Sequence, residues 1–508
     1  MSENQARELL VGLQRGAGPL QRQVEDQLRA LIRDGRLVAG ERLPSSRALA
    51  SDLSVSRGVV SDAYAQLAAE GWLLIAPRSG PRVADANLKG SDPFARQLSR
   101  KGVRPSHATD VAVRYDLRPG RPDLARFPRA DWLRSLGVAV RGAGDAELDY
   151  PPTAGSTRLR GVLAAYRGRV RGTLATADDV LVCLGAAQAF ISLAVAMHGA
   201  RVAVERPGHV GIRELLRVRG LQPVPVRVDD EGIVVDELPD DVRAVLVTPA
   251  HQFPTGVVMS AARRAELLAW AEAHDAVIVE DDYDAEYRYD RAPVGALQGL
   301  RPDLVFHIGS VSKTLAPALR LGWLIAPAAW HARLLEAREG LDHGLPALEQ
   351  HALADFIERG AYDRHIRRSA RAYRRRRDAL LEALAAQLPD ATVSGAAAGL
   401  HVAVHIPDAD EAALVAACRA QGVILDGAAQ HGAEPRTGAA ALDEAAGHGA
   451  GAMRMGGAAL DGAAQHDTGA PRTARPASPG STLLISFAAV PDAAAGHVVE
   501  LIARARGA

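Results

Sequence analysis

The stretch FHIGSVSKTLAPALRLGW, residues 306–323, opens on an apolar run and breaks into a turn of small residues. One lysine stands in that turn, Lys313, with Ser310 and Ser312 just before it and Arg320 seven positions after. An amine at a strand end can form a Schiff base with an aldehyde, and hydroxyls and a guanidinium beside it can hold a phosphate. Taken singly, lysines and arginines at loop starts are ordinary solvated residues, so the reading depends on what surrounds them.

Outward from this stretch, apolar runs alternate with helix-length segments. DVLVCLG, RVAVER, AVLVTP, AVIVEDDYD and LVFHIG read as buried strands, the layout of an α/β domain with a mainly parallel sheet. In such sheets ligands bind beyond the carboxyl ends of the strands. AVIVE runs into Asp281 and Tyr283, and VLVCL runs into Gly185 and a helix beginning near Ala186. Pyridoxal phosphate needs a carboxylate on its ring nitrogen, a donor at its ring oxygen and a phosphate cup. Asp281 and Tyr283 supply the first two. Arg320, Ser310, Ser312 and the backbone N–H groups of Ala186 and Ala187 supply the third.

Before this domain, residues 1–85 carry a different rhythm. Val24, Gln27, Leu28, Leu31 and Ile32 fall on one helical face. Ser45 or Ser46 caps a second helix, with Leu49, Ala50 and Leu53 as its apolar face. After the turn at Ser54–Ser56, a third helix buries Val59, Val60, Ala63, Tyr64 and Leu67. WLLIAP and PRVA then pair as a hairpin with Arg78 to Gly80 at its tip. This is the pattern of a winged helix-turn-helix. Arg47 and Arg57 suit phosphate or guanine contacts, with Ser45, Ser46 and Ser56 beside them and Arg78 and Gly80 at the wing. A three-helix protein-interaction module has a similar pattern, and charge does not separate the two.

At 508 residues the chain predicts two or three domains, and its 48% hydrophobic content is enough for large cores. The formal net charge is +0, so DNA contact must come from local pattern. Residues 86–113 read as a flexible linker, and 114–508 as the large effector region. Within it, Asp426 to Gly480 turns to Ala, Gly, His and Pro with a near repeat, the composition of a disordered insertion. The spacing of its histidines is irregular, and no metal site is expected. Cys183 and Cys418 lie in no metal or redox spacing and read as reduced core thiols. No secretory signal and no spanning apolar run are read, so a cytoplasmic protein is expected. The arginine-packed run YDRHIRRSARAYRRRRDALLEAL is a long helix, either a second DNA-facing surface or a solvated helix connecting domains.

Two family resemblances lie on these motifs. GERLPSSRALASDLSVSRGVVSDAYAQLAAEGWL resembles the DNA-binding domain of GntR-family regulators, with Pro81 and Arg82 departing from the usual wing tip. SKTLAPALRLGW, VEDDYDAEYRY, TPAHQFPTG and RPGRPDLARFP resemble fold-type I aminotransferases, most closely the large domain of MocR-type regulators. The resemblance implies that Lys313 carries pyridoxal 5′-phosphate as the internal aldimine. It also implies that Asp281 meets the ring nitrogen, Tyr283 the ring oxygen and Arg320 the phosphate. It further implies a head-to-tail homodimer that binds operator DNA and senses the cofactor or an amine effector.

Three departures bear on catalysis. His209 stands at the position of the ring-stacking aromatic. Phe253, beside Gln252, replaces the asparagine before Pro-Thr-Gly, as in MocR-type proteins. Leu484, in TLLISFAAV, falls where aminotransferases place the arginine that clamps the substrate carboxylate. Together they favour a regulator over an active aminotransferase with an accessory DNA-binding domain. A DNA-binding scaffold with an empty large domain is a third possibility.

Overall fold

The computed structural model describes residues 12–14, 16, 18–76, 80–84, 113–289, 294–395, 398–433 and 480–507. It divides into two compact units, Met1–Thr109 and Asp110–Ala508.

In the first unit, helix α1 (Leu20–Arg33) buries Val24, Leu28, Leu31 and Ile32. Gln27 stays on its rim and reaches Gly12 instead. Helix α2 (Ser46–Asp52) is capped by Ser45, whose side chain accepts from the Ala48 N–H at 3.2 Å. Helix α3 (Arg57–Ala69) buries Val60, Ala63, Tyr64 and Leu67, and the Tyr64 hydroxyl donates to the Pro44 carbonyl at 3.0 Å, tying α3 to the approach of α2. Strands β1 (Leu73–Ala76) and β2 (Gly80–Val83) form the antiparallel wing.

The returning wing strand also hooks onto the segment before α2. Arg42 bridges Arg82, and the Leu43 N–H donates to the Pro81 carbonyl at 2.9 Å. This gives the unusual Pro81–Arg82 pair a structural role. Gly80 is required there: its φ is +75°, and a Cβ would meet the Arg42 guanidinium at 3.3 Å.

The second unit opens with β3 (Tyr115–Asp116) and is built on an eight-stranded sheet. Its strands are β4 (Val180–Cys183), β5 (Arg201–Arg206), β6 (Gln222–Asp229), β7 (Gly232–Ile233), β8 (Ala244–Val247), β9 (Val277–Asp281), β10 (Val305–Ser310) and β11 (Gly322–Ile325). The order is β4-β11-β10-β9-β8-β5-β6-β7. From β6 to β10 the neighbours run parallel, while β11 lies antiparallel between β10 and β4. The five strands read from the sequence are all present.

Strands β6, β7 and β11 were not among those five. β6 carries Pro223 and Pro225, which argue against a central strand, yet it pairs along these residues with β5 alone. A proline's missing donor is tolerated where one side of a strand is open. β11 has four residues, all buried, too short to show a period.

A smaller sheet follows, of β12 (Thr392–Ser394), β13 (His401–Pro407), β15 (Asp426–Gly427) and β16 (Gly480–Ser486), in the order β12-β13-β16-β15. Strand β14 (Val423–Ile424) pairs in parallel with β3. Structure therefore continues past 426, through β15 and a 3₁₀ turn at Ala428–His431, into the segment expected to be disordered. The expected linker falls mostly outside the described residues, as do 434–479 of the insertion.

The arginine-packed helix spans Ala361–Gln387. Its Tyr362 belongs to the core beneath β4 and β11, and its Tyr373, Leu380 and Leu384 belong to the core of the small sheet. It connects the two cores, as the second of the two readings expected. Both cysteines are buried free thiols. No described helix is long and apolar enough to cross a membrane.

Candidate functional site

Strand ends build the site. Asp281 closes β9 and Ser310 closes β10, with Ile308 level with Asp281 across the parallel pair. On the other side Ser310 is level with Gly322 of β11, and Gly322 with Cys183 of β4. A Cβ on Gly322 would meet the Gly185 Cα at 2.8 Å, so the turn before the helix Ala186–Ala196 packs directly on β11. Arg320, with a left-handed φ of +50°, lies over the same turn and donates to the Leu184 carbonyl at 2.7 Å. Ser312 N–H donates to Ser310 Oγ at 3.4 Å. The first-turn N–H groups of Ala186 and Ala187, which no helical carbonyl can satisfy, thus open beside a guanidinium and two serines.

Lys313 is half-buried, and its Nζ donates to the Gly120 carbonyl at 2.7 Å. Burial lowers its pKa, and the carboxylates of Asp284 and Asp281 pull the other way. Gly120 has φ +75°, and a Cβ there would stand 2.8 Å from Nζ. Asp281 is buried, and its Oδ1 has no hydrogen-bond partner among the described residues. Desolvation, with Asp282 next, pushes its pKa up to about 7, against the pull of Lys313.

Its chain neighbour Asp282 points to the other side of the strand end. There Arg171 grips it with two bonds at 2.9 and 3.0 Å, and Arg167 also pairs with it. Arg167 reaches Glu286 as well, at 2.5 Å. Desolvation opposes the Asp282 charge, but the two guanidiniums win and hold its pKa well below the usual carboxylate range. The period-two alternation of a strand sends adjacent aspartates to opposite fates.

Tyr283 Oη lies 3.0 Å from His251 Nδ1, and the same nitrogen lies 3.0 Å from Asp284 Oδ2. The His401 ring lies tilted beside it, its centroid 5.1 Å from that of His251, and burial pushes its pKa down to about 3. Phe253 stands among these rings, 5.4 Å from His209, 6.3 Å from Tyr283, 5.5 Å from His401 and 4.8 Å from His431. His209 accepts from the Ile212 N–H, capping the helix Val210–Val218, and burial pushes its pKa down to about 4, so it is a neutral ring at pH 7. Gln252 braces the loop through Glu205 and the carbonyls of Pro207 and Phe253. Leu484 is fully buried against Phe253, Ala403 and Ala428.

Every cofactor-site residue read from the sequence therefore gathers at one end of the large sheet. His251, Asp284, His401 and Gly120 were not singled out. His251, Asp284 and Gly120 lay within the quoted motifs TPAHQFPTG, VEDDYDAEYRY and RPGRPDLARFP, which was the available signal. In the first unit, Arg47, Ser56 and Arg57 are exposed near the start of α2 and α3, and Arg57 Nε lies 3.4 Å from Ser46 Oγ. Arg78 lies outside the described residues.

Residues 20–83 match the family described as bacterial regulatory proteins, gntR family, and residues 128–445 match aminotransferase class I and II. The chain is 36% identical over 404 residues to the HTH-type pyridoxine biosynthesis transcriptional regulator PdxR of Corynebacterium glutamicum, covering 79% of this chain and 86% of that one. It is 34% identical to the probable rhizopine catabolism regulatory protein MocR of Rhizobium meliloti, covering 80% and 85%. The chain belongs to the MocR-type GntR regulators. It is a DNA-binding transcriptional regulator with an aminotransferase-like domain.

Among solved structures, an archaeal alanine:glyoxylate aminotransferase superposes with a TM-score of 0.65 at 22% identity, over 82% of this chain and 94% of that one. The kynurenine aminotransferase of Pyrococcus horikoshii gives 0.64 at 22%, over 82% and 93%. These likenesses bear on fold alone.

The cofactor of this family is pyridoxal 5′-phosphate, and the residues of the MocR-type chain fit it. The buried, unpartnered oxygen of Asp281 suits a cationic ring nitrogen. The glycines at 120 and 185 leave backbone close to Lys313 and Arg320, in space that a Cβ would fill.

Proposed function

We propose that this MocR-type regulator carries pyridoxal phosphate covalently on Lys313 and that loading the cofactor, or its capture by an amine, changes operator binding. The single observation that carries this is Asp281: a buried carboxylate with an unpartnered oxygen, at the same sheet end as a lysine whose charge it feels. Leaving such a group unpaired costs about 1–3 kcal/mol, which a structural role does not repay.

Bound there, pyridoxal phosphate supplies an aldehyde that a primary amine can capture. The chain's own residues do the rest. Burial lowers the Lys313 pKa and so raises the share of neutral, nucleophilic amine, and the Gly120 carbonyl orients that amine. Asp281, its pKa pushed up to about 7 by burial, is poised to give up its proton beside a cationic ring nitrogen. Tyr283 presents its hydroxyl to a ring oxygen while His251 and Asp284 fix its direction. Arg320, Ser310, Ser312 and the N–H groups of Ala186 and Ala187 take the phosphate. The neutral His209 ring and Phe253 wall the site and exclude water.

On DNA, α3 enters the major groove, with Ser45, Ser46, Arg47, Ser56 and Arg57 at the α2–α3 junction reaching backbone and bases, and Arg78 and Gly80 following the wing. The working form in this reading is a cytoplasmic head-to-tail homodimer. Leu484 fills the position of the aminotransferase clamp with an apolar side chain, which favours sensing over turnover.

The test is an absorbance titration with pyridoxal phosphate, beside Lys313→Ala, with a gel shift on the protein's own upstream DNA at each point. A visible band that needs Lys313 and alters the gel shift supports the reading. No band removes it. Conversion of alanine or glutamate to the 2-oxo acid, lost in Lys313→Ala, would make the chain an aminotransferase.

A further inference from the structure

Leu484 leaves the family's usual carboxylate position without a cation, but an arginine stands elsewhere beside Lys313. The Gly120 carbonyl that holds Lys313 Nζ is followed directly by Arg121. Arg121 is 47% exposed, and its charge acts on Lys313. Its backbone is pinned to β16, the strand that carries Leu484. Ser486 N–H donates to the Leu117 carbonyl at 2.8 Å, and the Ser486 hydroxyl lies between the carbonyls of Leu400, at 3.2 Å, and Arg121, at 3.4 Å.

The local charge balance leaves Arg121 in surplus. Asp116 accepts a two-bond fork from Arg118, Nε to Oδ1 at 2.9 Å and Nη2 to Oδ2 at 2.7 Å. Asp426 adds a second carboxylate that acts on Arg118. Among the described residues the Arg121 side chain has one ion pair, at 2.6 Å, with an Asp116 oxygen that Arg118 already uses. Swinging Arg121 away therefore leaves no carboxylate unpaired. A half-exposed pair of this kind is weak, whereas a carboxylate held in an enclosed pocket by a guanidinium fork is strong.

The geometry points to Arg121 as the specificity residue that receives the carboxylate of an amine effector, in place of the clamp lost at Leu484. The effector class is a primary amine bearing a carboxylate, with its nitrogen directed to the cofactor-bearing end of Lys313 and its carboxylate to Arg121. This rests on pyridoxal phosphate occupying the Lys313 site.

The test uses the full chain loaded with pyridoxal phosphate and follows its visible band. L-Alanine and β-alanine are each titrated against ethylamine, from which both differ by one carboxylate. In the wild type, at least one of the two should act at a tenfold lower concentration than ethylamine, beyond the difference in free-amine fraction. Arg121→Gln should lose that preference while keeping the wild-type response to ethylamine, the wild-type cofactor affinity and the wild-type Tm. Arg121→Lys should keep part of it. Equal responses to all three amines in the wild type, or a preference that survives Arg121→Gln, overturns the assignment. A wild type that forms no band with pyridoxal phosphate fails earlier, at the reading of Lys313, and takes this assignment with it.

Discussion

Lys313 Nζ and the Gly120 carbonyl oxygen lie 2.7 Å apart, although 193 residues separate them in the chain. The bond joins the turn after β10 to the segment that follows β3, and it fixes the amine where the Asp281 carboxyl feels its charge. Glycine is needed because the backbone is left-handed there and a Cβ would stand 2.8 Å from the amine.

Gly120→Ala should therefore displace Lys313 before it unfolds anything. The left-handed conformation costs an alanine about 1–2 kcal/mol. The dissociation constant for pyridoxal phosphate, from absorbance titration, should rise at least tenfold, with the DNA-binding unit melting as before. Unchanged affinity would show that the 2.7 Å bond has no part in placing the amine.

Asp281→Asn should separate stability from function. The Asp281 pKa is raised in the fold, from about 3.8 to about 7. The stability tied to its neutral form is fully present below pH 3.8 and is lost as pH rises toward 7. Asparagine has no such loss. Without cofactor, Asp281→Asn should melt higher than wild type at pH 8, by an amount that shrinks toward pH 4. With saturating pyridoxal phosphate the order should reverse, because the amide cannot balance a cationic ring nitrogen. Melting curves at three pH values, with and without cofactor, check both halves.

Asp282 has the opposite role, and its loss should unfold the large unit. Asp282→Ala leaves Arg167 and Arg171 buried with one of their carboxylates gone, a change worth about 3–5 kcal/mol. Urea unfolding followed by tryptophan fluorescence is the measurement, since Trp323 packs against Arg167. The pKa of Asp282 is depressed, so its contribution is present above pH 3.8 and is lost as the pH falls below that value.

Two substitutions probe the DNA-binding unit. Ser45→Ala removes the α2 cap and should lower its stability by about 1 kcal/mol. Arg57→Ala should weaken operator binding. If Arg57 contacts a phosphate, the slope of log affinity against log salt should fall by about 1 and all sequences should suffer alike. If it contacts a guanine, discrimination at one base should relax by about 1–3 kcal/mol instead. Gel shifts at several salt concentrations on operator and scrambled DNA distinguish these.

The sequence by itself determined the two-part organisation, the winged helix-turn-helix, the mainly parallel sheet and the residues at its strand ends. Those features rest on local periodicity and turn chemistry, which a linear reading contains. Tertiary structure alone decided that Asp281 faces the site while Asp282 is taken by two buried arginines. Two aspartates in succession carry no mark of which one will lose its water. Tertiary structure also brought Gly120 to Lys313, His251 to Tyr283, and the Arg121 backbone to β16. These are contacts between distant segments, set by how the sheets and the long helix pack, and charge and hydrogen-bond balance can be counted only once that packing exists. Strands β6 and β11 escaped the reading for a related reason. One side of β6 is left open at its prolines, and β11 is shorter than any period, so only pairing with their neighbours defines them.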